Sequence, residues 1–481
     1  MRTKLCLFLS ILCLLLTACT SSGQQAPVSD PAPAPAESTP EVETLLGVEL
    51  TEDTPERERG WIEDLDWLRR KWEEIHPDPY FHCSEEEFRW RLEQLAARVS
   101  ELSDSDLYFE VESLVVALDE GRHSGAKLPD SLSGRVFPVL LQFLGDRVYL
   151  VSYAEGYEQF APYLLQEVVA VNGVDMAYIQ RKFERFIDPN NAWASKEYFM
   201  NFSAFPAFYD WVGCDYKEGY TFQILNGNQE VVDVEVPVLP LEEYSVFAED
   251  YPWIWPENWD RLAYMKGGNW AEYFEGENSG CIYVSFYEFD PSLLEPLPVK
   301  AAEVVSAHPE CRKLVIDLRW NPGGDAVFLK YFKENMKALY APTIEQTYVV
   351  VGGYSTSAST VAASFFKSEM DAVIVGEPMG QFSSFYARKG GSCPQILLPY
   401  SQIQVGVADL WREWEETVNA INGYMPSDTS INWVPLAEAY YDEDGRLYDW
   451  ECMVLPDVYV YQDIEDIRQG KDSVLEWILE Q

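Results

Sequence analysis

Residues 348–386 read YVVVGGYSTSASTVAASFFKSEMDAVIVGEPMGQFSSFY. Tyr348–Val351 is a short β-branched run of the kind that fills a buried strand. Gly352, Gly353 and Tyr354 follow, then five small residues, Ser355 to Ser359. From Thr360 the apolar spacing becomes helical, with Val361, Ala362, Phe365 and Phe366 able to share one face. A second apolar run, Ala372–Val375, ends at Gly376-Glu377-Pro378. Strand, tight turn, helix and strand in this order predict an α/β crossover. Small residues let the backbone turn closely, and the first amides of the helix lack partners within it. A hydroxyl at that place lies beside N–H groups able to stabilise an oxyanion. The same residues also suit a plain Ser/Thr cap, so this stretch by itself leaves both readings open.

A second stretch, residues 314–325, reads LVIDLRWNPGGD and is another apolar strand ending in a glycine-rich turn. Together the two resemble the carboxy-terminal processing (tail-specific) peptidase family of serine peptidases. The family pattern is D-L-R-x-N-x-G-G after a strand, then S-A-S or T-x-S-S-A, then G-E-x-T-x-G. Here DLRWNPGG, STSAS and GEPMGQ stand in that order, and the resemblance is strongest over residues 281–400. It implies an α/β fold: a crotonase/Clp-like catalytic core, an N-terminal helical bundle and a PDZ-like β-rich domain. It implies Ser357 as nucleophile, with the amide of Ala358 and that of Gly323 or Gly324 holding the oxyanion. Ser355 would sit nearer the strand end, and Ser359 is better placed to cap the helix.

The best-known members of that family take a lysine about two dozen positions after the serine as base. That place falls here on Phe382, or on Gln381 with a one-residue shift, and no lysine lies between Ser368 and Arg388. The chain therefore resembles the lysine-lacking Ser/His type, whose signature is D-G-H-T or D-G-H-S. The matching segment is Asp119-Glu120-Gly121-Arg122-His123-Ser124, with Arg122 where a glycine is usual. His123 is the implied general base. A histidine at a helix C-terminus also suits the helix dipole, so its position alone does not assign it. Of the other three histidines, His76 and His308 each precede a proline and His82 lies in an aromatic loop. Glu377 and Glu451 are the candidates for an acid that orients His123.

The ends and the composition bound the rest. Met1–Ala18 has a basic start and an apolar run too short for a comfortable membrane span, as in a secretory signal. Leu16-Thr17-Ala18-Cys19 resembles a bacterial lipobox, which makes Cys19 the expected lipidation site and the cell envelope the expected location. Residues 19–52 read as a flexible tether, rich in Ser, Pro and Ala. The formal net charge of −45 argues against nucleic acid or anionic lipid as partners of the protein body. The membrane is then met through the lipid anchor alone. Six cysteines follow Cys19 without any C-x-x-C pair, so no zinc site is expected, and no metal or cofactor.

Residues 53–130 are expected to form the helical domain. One apolar stripe is Trp61, Leu65, Leu68 and Trp72, and another is Phe88, Leu92, Leu95 and Val99. Residues 131–240 read as short strands and turns, with a hairpin across Gly145-Asp146. Within them Leu164–Gly173 resembles a PDZ segment in which Gln166-Glu167 replaces the usual Gly-Asp. A peptide-binding module and a purely structural one both remain open. Residues 241–481 form the expected catalytic α/β domain, closing with VLPDV at 454–458 and a final helix from Gly470 onward. The function these features imply is an exported, membrane-anchored serine peptidase acting on polypeptides. The alternative is an inactive relative that binds peptides or envelope partners. A different exported α/β hydrolase is a third class, against which the paired motifs argue.

Overall fold

The computed structural model describes residues 43–80, 83–118, 123–129, 134–188, 191–214, 219–240, 253–276, 280–324, 332, 335–381, 385–387, 394–412, 440–441, 447–448 and 455–481. The expected anchor Cys19 and the candidate acid Glu451 lie outside these residues. Three helices open the chain: α1 (Glu56–Ile75), α2 (Glu85–Ala97) and α3 (Asp104–Val116). Both apolar stripes are buried, from Trp61 to Trp72 and from Phe88 to Val99. Ser84 caps α2, and Ser103 with Asp106 forms a capping box on α3, so each helix starts where its orphan amides find oxygen. α1 stops at His76, whose ring stacks on Trp72 with Pro77 following.

A twisted antiparallel sheet comes next. It contains β2 (Val139–Leu144), β3 (Arg147–Ala154), β4 (Glu167–Val171), β5 (Tyr220–Leu225), β6 (Val231–Val236) and β7 (Trp253–Ile254). The hairpin across Gly145 pairs Leu144 with Arg147, as expected. Three helices interrupt the strands: α4 (Met176–Ile187), α5 (Ala192–Phe202) and α6 (Pro206–Trp211). This departs from the all-strand expectation for the region. Aromatic side chains favour strands locally, but here Phe183, Phe186, Phe199, Phe202 and Phe208 meet mainly edge to face in one cluster. That tertiary packing decides the local conformation.

The C-terminal core is a six-stranded sheet in the order β8 (Trp270–Phe274), β9 (Cys281–Ser285), β10 (Lys313–Asp317), β11 (Gln346–Val351), β12 (Val373–Gly376) and β15 (Val458–Tyr459). β8 is antiparallel to β9, and the remaining pairs are parallel. Ile316 lies beside Val349, and Val349 beside Ile374, so the β-branched runs form one buried band. Apolar clusters cover both faces, the usual condition of parallel strands. α7 (Leu297–Ala307) and α8 (Ala358–Met370) serve as crossovers, and α9 (Ser473–Glu480) closes the chain.

A small sheet joins the start of the chain to this core. β1 (Gly125–Ala126) pairs with β14 (Gln404–Gly406), which pairs with β13 (Gln395–Leu397). Asp64 of α1 accepts the amides of Tyr400 and Ser401 at 2.8 and 2.7 Å, holding the β13–β14 turn. Cys83, Cys214, Cys281 and Cys311 are buried free thiols. Among the described residues no helix is long and apolar enough to cross a membrane.

Candidate active site

The site forms where β10 and β11 end. Asp317 and Arg319 close β10: Arg319 Nε donates to Asp317 at 2.8 Å, and its two other nitrogens grip Asp472 at 2.9 and 2.8 Å. Tyr283 Oη donates to the same Asp317. All four side chains are buried, and Asp472 caps α9 by accepting the amides of Val474 and Leu475. The DLR motif is therefore a brace between the core strand and the last helix. It fixes the turn that follows.

That turn carries Gly323 and Gly324 at φ 108° and 121°. A Cβ on Gly323 would lie 2.6 Å from Cβ of Ser357, and one on Gly324 would lie 2.7 Å from the Phe289 carbonyl oxygen. Thr356 joins the two turns, its amide donating to Asn321 O at 3.2 Å and its hydroxyl to Pro322 O at 3.0 Å. The NPGG turn thus lies directly on the serine turn.

Ser357 sits at the N-cap position of α8 with φ 54° and ψ −124°. Such a conformation is strained for a residue with a Cβ and is a mark of functional turns between a strand and a helix. Ser357 is partly exposed, whereas Ser355, Thr356 and Ala358 to Thr360 are buried. Its hydroxyl makes no cap bond. The rival serines have other surroundings. Ser355 donates to Leu318 O at 2.8 Å and accepts from Gly352 N at 3.1 Å. Ser359 was the expected cap, but the helix starts at Ala358. Its buried hydroxyl therefore lies inside the first turn, with no hydrogen-bond partner among the described residues.

The amides around Ser357 divide clearly. Gly323 N–H donates to Asn321 Oδ1 at 2.7 Å, so of the two expected oxyanion donors Gly323 is the one engaged within its own turn. No described group accepts from the amides of Ala358 or Gly324. Ser357 N–H donates to Oε1 of Gln381, a residue 2 % exposed. That bond fixes the orientation of the Gln381 amide. Its Nε2 then faces His123 Nδ1 at 3.4 Å. One side chain links the serine turn to the histidine.

His123 is held from two directions. The residues after it pair with β14, Ala408 N donates to Ser124 Oγ at 2.8 Å, and Tyr108 of α3 donates to Ala126 O at 3.1 Å. Glu377, a candidate orienting acid, lies elsewhere. It lines a cavity of about 50 Å³ with Glu197, Lys196, Arg319 and Gln462, and no described contact joins it to His123. Burial pushes the Glu377 carboxyl above its ordinary range, with Lys196 and Arg319 opposing. Burial and the charge of Glu377 together push Glu197 up to about 8. Among the described residues no group of three or more His, Cys, Asp or Glu side chains could hold a metal ion.

No protein-family model and no curated protein matches the chain. Solved structures do. Mature CPAF complexed with lactacystin aligns over 88 % of this chain and 97 % of its own, at TM-score 0.52 and 13 % identity. A CPAF mutant aligns over 88 % and 96 %, at TM-score 0.53 and 12 % identity. The photosystem II D1 C-terminal processing protease covers 88 % and 99 % at 13 % identity, but at TM-score 0.34 it is too distant to argue from. The fold is that of CPAF. Within it the three opening helices, the antiparallel sheet with its helices and the largely parallel core sheet follow one another along the chain. What sequence reasoning missed is Gln381. Its place was marked as that of an absent lysine, and nothing local shows that its amide reaches both Ser357 and His123.

Proposed function

We propose that the chain is a serine peptidase of the carboxy-terminal processing family, hydrolysing peptide bonds in polypeptides with Ser357 as nucleophile and His123 as base. The observation that carries this reading is the strained backbone of Ser357 at the start of α8, tied through Gln381 to His123. Ser357 Oγ gives its proton to the lone pair of His123 and attacks the carbonyl carbon. The carbonyl oxygen takes the charge as the C–O bond forms. Ala358 N–H and Gly324 N–H are the donors left to receive it, and losing one such donor typically costs ~10²–10³ in turnover. His123 then protonates the leaving amine, and water, deprotonated by the same ring, releases the acyl group. We further propose that Cys19 is lipidated and that the protein works outside the cytoplasm, anchored to a membrane; the lipobox-like run Leu16–Cys19 supports this.

The test is cleavage of denatured casein by the wild type and by Ser355→Ala, Ser357→Ala and Ser359→Ala, with melting curves for all four. Ser357→Ala should lose hydrolysis and keep its melting temperature. Ser355→Ala should melt lower, because Leu318 O and Gly352 N lose a buried partner, while retaining turnover. Full activity in Ser357→Ala overturns the mechanism. An inactive wild type selects the peptide-binding relative instead.

A further inference from the structure

A second residue far from Ser357 in the chain bears on the same turn. Between the end of β12 at Gly376 and Gln381 the chain forms no strand ladder. Three consecutive residues there each meet a different neighbour. Met379 O accepts from Asn191 Nδ2 at 3.1 Å, Gly380 N–H donates to Ser355 O at 3.2 Å, and Gln381 meets Ser357 and His123. Asn191 is the N-cap of α5 in the PDZ-like region and is 1 % exposed. Its Oδ1 accepts from Trp193 N at 3.1 Å and Ala194 N at 3.0 Å. Those two bonds fix the orientation of the amide, leaving Nδ2 to face Met379. The fit is close on every side. A Cβ on Gly380 would lie 1.8 Å from Gly353 O and 3.3 Å from Ala194 Cβ, and one on Gly353 would lie 2.4 Å from Trp193 O. Tyr198, one turn further along α5, packs its ring 4.9 Å from that of Tyr354.

We infer that Asn191 is a positioning residue for the peptidase site: its amide sets the height of the Met379–Gln381 segment and thereby the contact of Gln381 with Ser357 and His123. This rests on the reading of Ser357 and His123 as nucleophile and base. The geometry separates two duties of one side chain, the cap through Oδ1 and the tie through Nδ2. An aspartate keeps the first and loses the second, and it sets a carboxylate oxygen against a carbonyl. Misplacement of a supporting group by about 1 Å can cost a hundredfold in rate.

The experiment compares the full chain with Asn191→Asp and with Ser195→Ala. Ser195 donates to Asp188 O and Asn191 O at 3.2 Å, so its loss weakens the same helix turn without touching Met379. Asn191→Asp should lower kcat roughly ten- to a hundredfold with KM within about threefold, and should melt below wild type, because its buried carboxylate faces Met379 O. Its His123 ring-nitrogen resonances, among four histidines in all, should move because Gln381 no longer faces Nδ1 squarely. Ser195→Ala should leave both kcat and the His123 signals in place. Unchanged kinetics and unchanged His123 resonances in Asn191→Asp overturn the inference, as does an equal loss of kcat in Ser195→Ala. If the wild type cleaves nothing, the peptidase reading falls, while the His123 resonances still decide whether Asn191 positions the segment.

Discussion

Glycine at position 357 would suit the backbone better than serine does. At φ 54° and ψ −124° a side chain meets its own main chain, and the rest of the turn holds it there. Ser357→Gly should therefore raise stability by ~1 kcal/mol, seen as a higher melting temperature, while hydrolysis is lost. A drop in melting temperature would show that the serine is not strained. A second residue prediction concerns Glu197. Its ordinary pKa is 4.5 and the fold raises it to about 8, first by burial and then by the neighbouring Glu377. The fold accepts the protonated form. Between those two values the unfolded chain has released the proton and the folded chain keeps it. Stability is therefore fully present below about 4.5, falls as pH rises through the window by up to ~1.4 kcal/mol per unit, and levels off above about 8. Melting temperature against pH should slope downward there in the wild type and less so in Glu197→Gln. At this scale the sequence offered Ser357 and His123 as candidates because each sits inside a recognisable local pattern. Gln381, Asn191 and Glu197 carry no such mark, since their roles come from partners 24 to 258 positions away.

Among the elements, the turn after β10 and the brace beneath it make distinct predictions. Gly323 has φ 108° and no room for a methyl group against Ser357. Gly323→Ala must push the serine turn aside, so turnover in the casein assay should fall at least tenfold, with a stability loss of ~1–3 kcal/mol. Arg319 acts lower down. Arg319→Ala leaves Asp317 and Asp472 buried without their cation, a change that costs ~3–5 kcal/mol. Urea denaturation should report that loss, and a variant as stable as wild type would mean that water replaces the guanidinium. The strands of this core were legible because parallel strands buried on both faces read as unbroken β-branched runs. α4 to α6 were not. Their aromatic residues carry strand propensity, and only packing against α3 and the sheet makes helix the better solution.

For the whole molecule, the sequence showed which layers exist and in what order, but not how the first reaches the last. The pairing of Gly125 with Gly406 and the hold of Asp64 on Tyr400 and Ser401 cannot be read from any local period. The −45 formal charge and the expected tether frame the remaining prediction, although the end of that stretch, Glu43–Leu45 with Val48–Leu50, is a paired hairpin and not a flexible segment. If Cys19 carries a lipid, Cys19→Ser should move the protein from the membrane fraction to the soluble one, with casein cleavage unaltered. Unchanged membrane association would defeat the anchor.

The strand that steadies His123 is contributed by residues 404–406. A chain still leaving the ribosome therefore lacks the strand that steadies His123 until the last quarter has emerged. On the proposed peptidase reading, activity would arrive late, after most of the polypeptide is already made. A chain ending at residue 390 should accordingly be harmless to its host and to itself, and joining it to a separately made 391–481 fragment should switch on casein cleavage. The long reach of that small strand works as a timer on the assembly of the candidate site.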